Sequence, residues 1–263
     1  MPPSDTARDA SVLWSRHGDV LLVTLNRPEK RNALDFDMLS RLRLLLADDA
    51  RPEWASSVVL VGAETTFAAG ADIGFYQKAS EAEFLAFTDL ALSVCATIET
   101  ARVPVVAAVN GAALGGGFEL AMACDWIVAA DTAFFGLPEL QLGLIPGWGG
   151  TQRLASALGP RRAFALIAEG AYLAAEDAHT MGLVSEVAPR DDLLPVALER
   201  ARKLGTGPRR ALIGLRRAVL ATQTSTGYAT ERAELAAAFS DVDAREGVSA
   251  FLAKRSPKFG QRS

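Results

Sequence analysis

The chain is poor in the residue types on which most proton and metal chemistry depends. Its 263 residues include only two histidines and two cysteines. That count excludes a disulfide framework and fits a reducing compartment. Cys95, Cys124, His17 and His179 would all be needed for a single four-ligand zinc site, so no metal centre is expected. An excess of one charge is lacking too. The 27 basic and 31 acidic residues leave a net charge of −4, which suits neither a nucleic-acid nor a membrane-surface partner. Long hydrophobic runs are also missing. The uncharged window 103–118 is interrupted by Pro104, Asn110 and four glycines, and it is too short to cross a bilayer. The first nine residues have no basic start followed by an apolar stretch, so no secretory peptide is expected and a cytoplasmic protein is the default.

What the chain does have is apolar volume, with 50% of its residues hydrophobic. Its length allows one large domain or two small ones, either with a core of useful size. β-rich runs at 11–15 and 20–25 flank Arg16-His17-Gly18-Asp19 and predict a hairpin. Asp35 is placed to cap a helix over 36–47, with leucines at 39, 42, 45 and 46 on one side. Short strands are predicted at 58–61, 105–109 and 126–130 and near 183–187, with helices over 81–101 and 116–124. Four more helices follow near 192–204, 208–221, 228–239 and 243–254. The pattern divides into an α/β core over 1–190 and a helical part over 191–263. Alternating short strands and helices imply buried parallel layers, and pattern alone suggests a doubly wound sheet.

The chemistry concentrates in three segments. In Val105-Val-Ala-Ala-Val-Asn-Gly111-Ala-Ala-Leu-Gly115-Gly-Gly-Phe-Glu119, a buried strand enters a glycine turn that opens a helix. Such a turn presents unpaired N–H groups and the positive end of a helix dipole to a phosphate or a developing oxyanion. Dinucleotide and Walker spacings are absent. Glu119 lies one turn along from Gly116 among apolar neighbours, where an ionised carboxylate is costly unless partnered, and that marks it as functional. Glu139 repeats this character between apolar flanks, with another glycine-rich turn at Gly147-Trp-Gly-Gly150. The two glutamates are twenty residues apart, so only tertiary structure can join them. Joined around one water, they would act as acid and base without histidine. The third segment, Phe67-Ala-Ala-Gly70-Ala71-Asp72-Ile73, offers Asp72 as a helix cap and a second backbone donor to the same anion.

Taken in order, these segments resemble the crotonase, or enoyl-CoA hydratase, superfamily. The resemblance rests on Asn26-Arg-Pro-Glu-Lys-Arg-Asn-Ala-Leu34, Phe67 to Ile73, Asn110 to Leu120, Leu137-Pro-Glu139 and Ile145-Pro-Gly-Trp-Gly-Gly-Thr-Gln-Arg-Leu154. Ala175 to Val187 and Phe251-Leu-Ala-Lys-Arg255 extend it over nearly the whole chain. It implies a spiral of repeated strand–strand–helix units with a helical C-terminal part serving assembly into a homotrimer or a dimer of trimers. It implies an acyl-CoA thioester as substrate, with no cofactor beyond that coenzyme A. The N–H groups of Ala71 and Gly116 would form the oxyanion hole. Glu119 and Glu139 would hold the water that converts a trans-2-enoyl-CoA into a 3-hydroxyacyl-CoA. Lys30, Arg31, Ala69, Asp72, Ile73, Gly147, Trp148, Phe251 and Lys254 would line the coenzyme or acyl site. Gly74 departs from the family, which often has lysine there. Trp148 replaces a smaller residue, and its ring either narrows the acyl pocket or packs outward.

The remaining polar residues read as structural. His179 suits a helix C-terminus, His17 a turn, and Arg209, Arg210, Arg216 and Arg217 a solvated face. No serine occupies the glycine turn, which argues against a serine triad. Isomerisation of a 3-enoyl-CoA, another acyl-CoA lyase reaction, and a non-catalytic or RNA-binding role are the alternatives the resemblance leaves open.

Overall fold

A computed structural model describes residues 10–207, 209–220 and 225–258. The N-terminal segment read for targeting signals lies outside those residues. Val12–His17 (β1) and Val20–Leu25 (β2) pair antiparallel across a two-residue turn. His17 therefore ends β1 rather than sitting in the turn, because its backbone pairs with Val20. Phe36–Leu46 (α1) follows, capped by Asp35, whose carboxylate accepts from Met38 N at 2.9 Å. Its Leu39, Leu42, Leu45 and Leu46 are buried on one side, as the spacing predicts.

Three pairs of strands then repeat one pattern. Ser57–Gly62 (β3) leads to Thr66–Ala68 (β4), then Ile73–Tyr76 (α2) and Glu81–Thr100 (α3). Val105–Val109 (β5) leads to Ala112–Leu114 (β6) and Gly116–Met122 (α4). Trp126–Ala130 (β7) leads to Phe134–Gly136 (β8), then Gly150–Leu158 (α5) and Pro160–Glu169 (α6). The first member of each pair joins one sheet and the second joins another. Leu173–Ala174 (β9), Ala175–Thr180 (α7) and Glu186–Ala188 (β10) complete the turns. The six-stranded sheet runs β1-β2-β3-β5-β7-β10 and the four-stranded sheet β4-β6-β8-β9. All neighbours are parallel except β1 with β2 and β8 with β9. The chain is thus a spiral, not the doubly wound sheet that pattern alone suggests. Strands of two or three residues are too short for an alternation to register, so the second sheet is invisible to periodicity.

Two buried asparagines secure the corners of the spiral. Asn110 Nδ2 donates to the carbonyls of Gly62 and Glu64, both at 2.9 Å. Asn32 accepts from Arg27 N and donates to the carbonyls of Ala63 and Thr66. These side chains pair backbone groups that the turns would otherwise leave unsatisfied.

Leu193–Gly205 (α8), Arg209–Leu220 (α9), Ser225–Ser240 (α10) and Val242–Leu252 (α11) form the C-terminal part. α8 buries Leu193, Ala197, Leu198 and Ala201 and packs on β2, β3, β5 and β7. The division at 190 therefore marks a change in secondary structure, while the packing continues across it. Arg216 is also not part of a solvated face. Its Nε donates to Asp125 Oδ1 at 2.6 Å and its guanidinium reaches the carbonyls of Ala101 and Val103, which ties α9 to the core. The side chains of Arg210 and Arg217 lie outside the described residues. His179 closes α7, with Nδ1 at 2.9 Å from Val184 O. Among the described residues, no helix is long and apolar enough to cross a membrane.

Candidate active site

The site grows from the turn between β6 and α4. Gly115 adopts φ +50°, a conformation that costs glycine little, and its N–H donates to Gly136 O at 2.9 Å. This bond ties the end of β8 to the start of α4. Glu119 is the fourth residue of α4 and only 2% exposed. Its Oε1 accepts from Trp148 N at 2.8 Å, in the turn before α5, and from Gly150 N at 2.7 Å, the first amide of α5. Two charge-assisted bonds and the α5 dipole thus fix the plane of the carboxylate. Arg153 holds the same turn from behind. Its Nη1 donates to Trp148 O at 2.7 Å, and its Nε pairs with Glu99 Oε1 at 2.7 Å in a part-buried ion pair.

Glu139 arrives from the opposite direction. β8 ends at Gly136, and Pro138 starts a single 3-10 turn over Glu139–Leu142. A Cβ placed on Gly115 would come within 2.9 Å of Glu139 Oε1, so this carboxylate lies directly against the glycine turn. Both glutamates line one cleft of about 70 Å³. The strand connections bring them together across the twenty intervening residues.

The two predicted backbone donors border the same cleft. Leu34 N donates to Gly70 O and Asp72 N to Leu34 O, both at 2.8 Å, which braces the peptide on either side of Ala71. Among the described residues, neither Ala71 N nor Gly116 N is spent on a backbone bond. The two loops touch: a Cβ on Gly70 would meet Gly116 N at 3.9 Å. Two amides left out of backbone bonding, on touching loops that line one cleft, can receive one oxyanion.

Trp148 points inward. It is 3% exposed, and a Cβ on Gly116 would strike its Cζ3 at 2.1 Å. The ring meets Phe87 edge-on, with centroids 5.6 Å apart. Tyr76 faces the carboxylates from another wall. Burial first, then the charges of Glu139 and Glu119, push its phenol above the usual tyrosine range, so it remains a neutral hydroxyl. Among the described residues, no group of three His, Cys, Asp or Glu side chains is placed to hold a metal ion.

Similarity to known proteins places the chain in a family. Residues 15–262 match the family model described as enoyl-CoA hydratase/isomerase. The chain belongs to that family. A probable enoyl-CoA hydratase of Rhizobium meliloti is 41% identical, over 96% of this chain and 98% of the relative. A 2,3-dehydroadipyl-CoA hydratase of Escherichia coli is 40% identical, over 96% of this chain and the whole relative. The crystal structure of an enoyl-CoA hydratase from Mycobacterium avium subsp. paratuberculosis superposes with a TM-score of 0.85 at 27% identity, covering 96% and 99% of the two chains. The spiral is thus the crotonase fold.

Not every residue that the resemblance points to reaches the cleft of this family member. Ala69, Ala71, Ile73, Gly116, Glu119, Glu139, Gly147 and Trp148 line it. Gly147 allows a close approach, since a Cβ there would meet Leu235 Cδ2 at 2.0 Å. Lys30 and Arg31 are exposed at the 3-10 turn Pro28–Lys30, joined to the site through Ala69 N, which donates to Arg31 O at 3.0 Å. The Asp72 carboxylate is occupied by Arg27 at 3.0 Å and Gly74 N at 3.3 Å, so it braces the loop. Phe251 and Lys254 are exposed around the end of α11 and do not line the cleft. Tyr76, Phe84 and Leu235 do line it and went unrecognised in the sequence. Leu235 belongs to a helix read as assembly surface, and no local motif marks the other two.

Proposed function

We propose that the protein is a hydratase that adds water across the double bond of a trans-2-enoyl-CoA to give a 3-hydroxyacyl-CoA. The observation that carries this reading is the convergence of Glu119 and Glu139 beside the two unspent amides of Ala71 and Gly116. The thioester carbonyl accepts from both N–H groups, which stabilises the enolate as charge develops on its oxygen. The carboxylates hold one water. One of them takes a proton as the water oxygen bonds to C3, and the α-carbon C2 receives a proton in turn, so that H and OH are both added. The reaction drawn this way requires no cofactor beyond the coenzyme A of the substrate. Lys30, Arg31 and the backbone around Ala69 guide the coenzyme, with Lys254 and Phe251 contributing from the C-terminal end.

A cytoplasmic enzyme of fatty-acid β-oxidation or related acyl-CoA breakdown fits this chemistry. The assembled form is a homotrimer or a dimer of trimers, for which the exposed apolar residues of α9 and α11 provide material. Isomerisation by a single carboxylate would leave the second glutamate without a task. The test is loss of enoyl absorbance with crotonyl-CoA. Glu119→Gln and Glu139→Gln should each lower kcat by about 10²–10⁴-fold while keeping coenzyme binding. Full activity in both variants would sink the two-carboxylate mechanism.

A further inference from the structure

A second and larger cavity, about 500 Å³, adjoins the cleft. On one side lie Gln77 to Glu81, linking α2 to α3, and on the other the facing parts of α10 and α11. Tyr76 lines both spaces and is part of the wall between them. The rest of that wall is apolar. Phe84 and Leu235 of the cleft belong to the same cluster as Ala244 and Phe239 of the groove, and the Phe84 and Phe239 rings stack at 3.8 Å.

The character of the groove changes at its rim. Lys78 and Arg245 both line it and are exposed. Among the described residues, neither side chain is committed to an ion pair or hydrogen bond. The acidic residue lining the same groove, Glu81, accepts from Ser240 Oγ at 3.1 Å. The groove shares Tyr76, Phe239 and Ala244 with the apolar cluster on the cleft side and has two uncommitted cations in its lining. Once the Tyr76 side chain swings aside, it suits a chain that is hydrocarbon along its length and anionic at its end.

We propose that the groove beyond Tyr76 receives the far end of the acyl chain, and that Lys78 and Arg245 recognise a carboxylate there. The preferred substrates are then enoyl thioesters whose acyl chain ends in a carboxylate. This rests on the reading of the cleft as a hydratase site. The same cations would also attract a coenzyme phosphate, and the comparison of substrates separates the two sources of negative charge.

The experiment uses the full chain and two matched pairs of thioesters, trans-2-hexenoyl-CoA with trans-2-hexenedioyl-CoA and trans-2-octenoyl-CoA with trans-2-octenedioyl-CoA. Crotonyl-CoA, too short to enter the groove, serves as reference. In the wild type, kcat/KM for the carboxylate-ended member of at least one pair should exceed that of its methyl-ended partner by roughly tenfold. Lys78→Met combined with Arg245→Met should bring that ratio to about one, mainly through KM, while Lys78→Arg retains it. A wild-type ratio at or below one in both pairs overturns the proposal. So does an equal loss on all five thioesters in the double variant, since that assigns the cations to the coenzyme. Calorimetric binding of the saturated adipoyl-CoA and hexanoyl-CoA involves no chemistry. Tighter binding of adipoyl-CoA that depends on Lys78 and Arg245 upholds the groove even if no thioester is hydrated, in which case the hydratase reading alone fails.

Discussion

At the scale of single residues, Gly116 carries two demands at once. It lines the cleft with an N–H not used in a backbone bond among the described residues, and its missing side chain is the space that the Trp148 ring occupies. Alanine here would meet Cζ3, Cε3 and Cη2 of that ring between 2.1 and 2.7 Å, so either the ring or the turn must move. Trp148 N is also one of the donors to Glu119, which couples ring displacement to the carboxylate. Gly116→Ala is therefore expected to lower kcat by about 10²–10³-fold, comparable to the loss of an oxyanion donor. Adding Trp148→Leu removes the clashing ring atoms and should restore part of that loss. The kcat of the single and double variants on crotonyl-CoA checks this. No recovery in the double variant would mean that the turn itself, rather than the ring, has been disturbed.

At the scale of elements, α3 is fixed by its own first turn, where a capping box that the helix periodicity does not reveal closes the N-terminus. Ser80 and Glu83 form a reciprocal capping box: Ser80 Oγ accepts from Glu83 N at 3.3 Å, and Glu83 Oε2 accepts from Ser80 N at 2.8 Å. The Ser80 backbone and then its hydroxyl hold the Glu83 carboxyl below the usual carboxylate range. A depressed folded-state pKa means that the contribution is fully present above the unfolded value. It is lost as pH falls through the lowered folded value. Ser80→Ala should thus reduce the urea midpoint by a few tenths molar at neutral pH, and the difference from wild type should shrink in acid. Urea titrations across that pH range measure it, and a gap that widens in acid would contradict the assignment. The same contrast explains what the sequence made legible. α1, α3, β5 and β7 are long or uniformly apolar, and their expected bounds agree with the observed ones to within a residue. β4, β6, β8 and β9 are too short to show a period, although they decide the spiral. Glu119 and Glu139 were legible as apolar-flanked carboxylates beside glycines. Tyr76 and Leu235 were not, because only tertiary packing carries them to the cleft.

At the scale of the whole molecule, the distribution of exposed apolar surface argues for association. Leu215 and Val219 on α9 are each 61% exposed, and Val242, Phe251 and Leu252 on α11 are exposed as well. Scattered apolar residues need no explanation, but Leu215 and Val219 both border an apolar hollow of about 340 Å³ that Trp126 and Leu212 also line. A monomer would leave these groups in water, whereas closed symmetric assembly would bury the same face on every subunit. The α9 face is held rigidly enough to serve, because Arg216 anchors the helix to Asp125 and to the carbonyls that end α3. On the proposed trimer or dimer of trimers, light scattering of the purified protein should give three or six times the mass of one chain. Leu215→Glu combined with Val219→Glu places charge on the face without touching the cleft, and it should shift the mass toward smaller species while the far-UV spectrum is retained. A wild-type mass equal to one chain would remove the case for assembly. An assembled wild type with an unchanged mass in the double variant would move the interface away from α9.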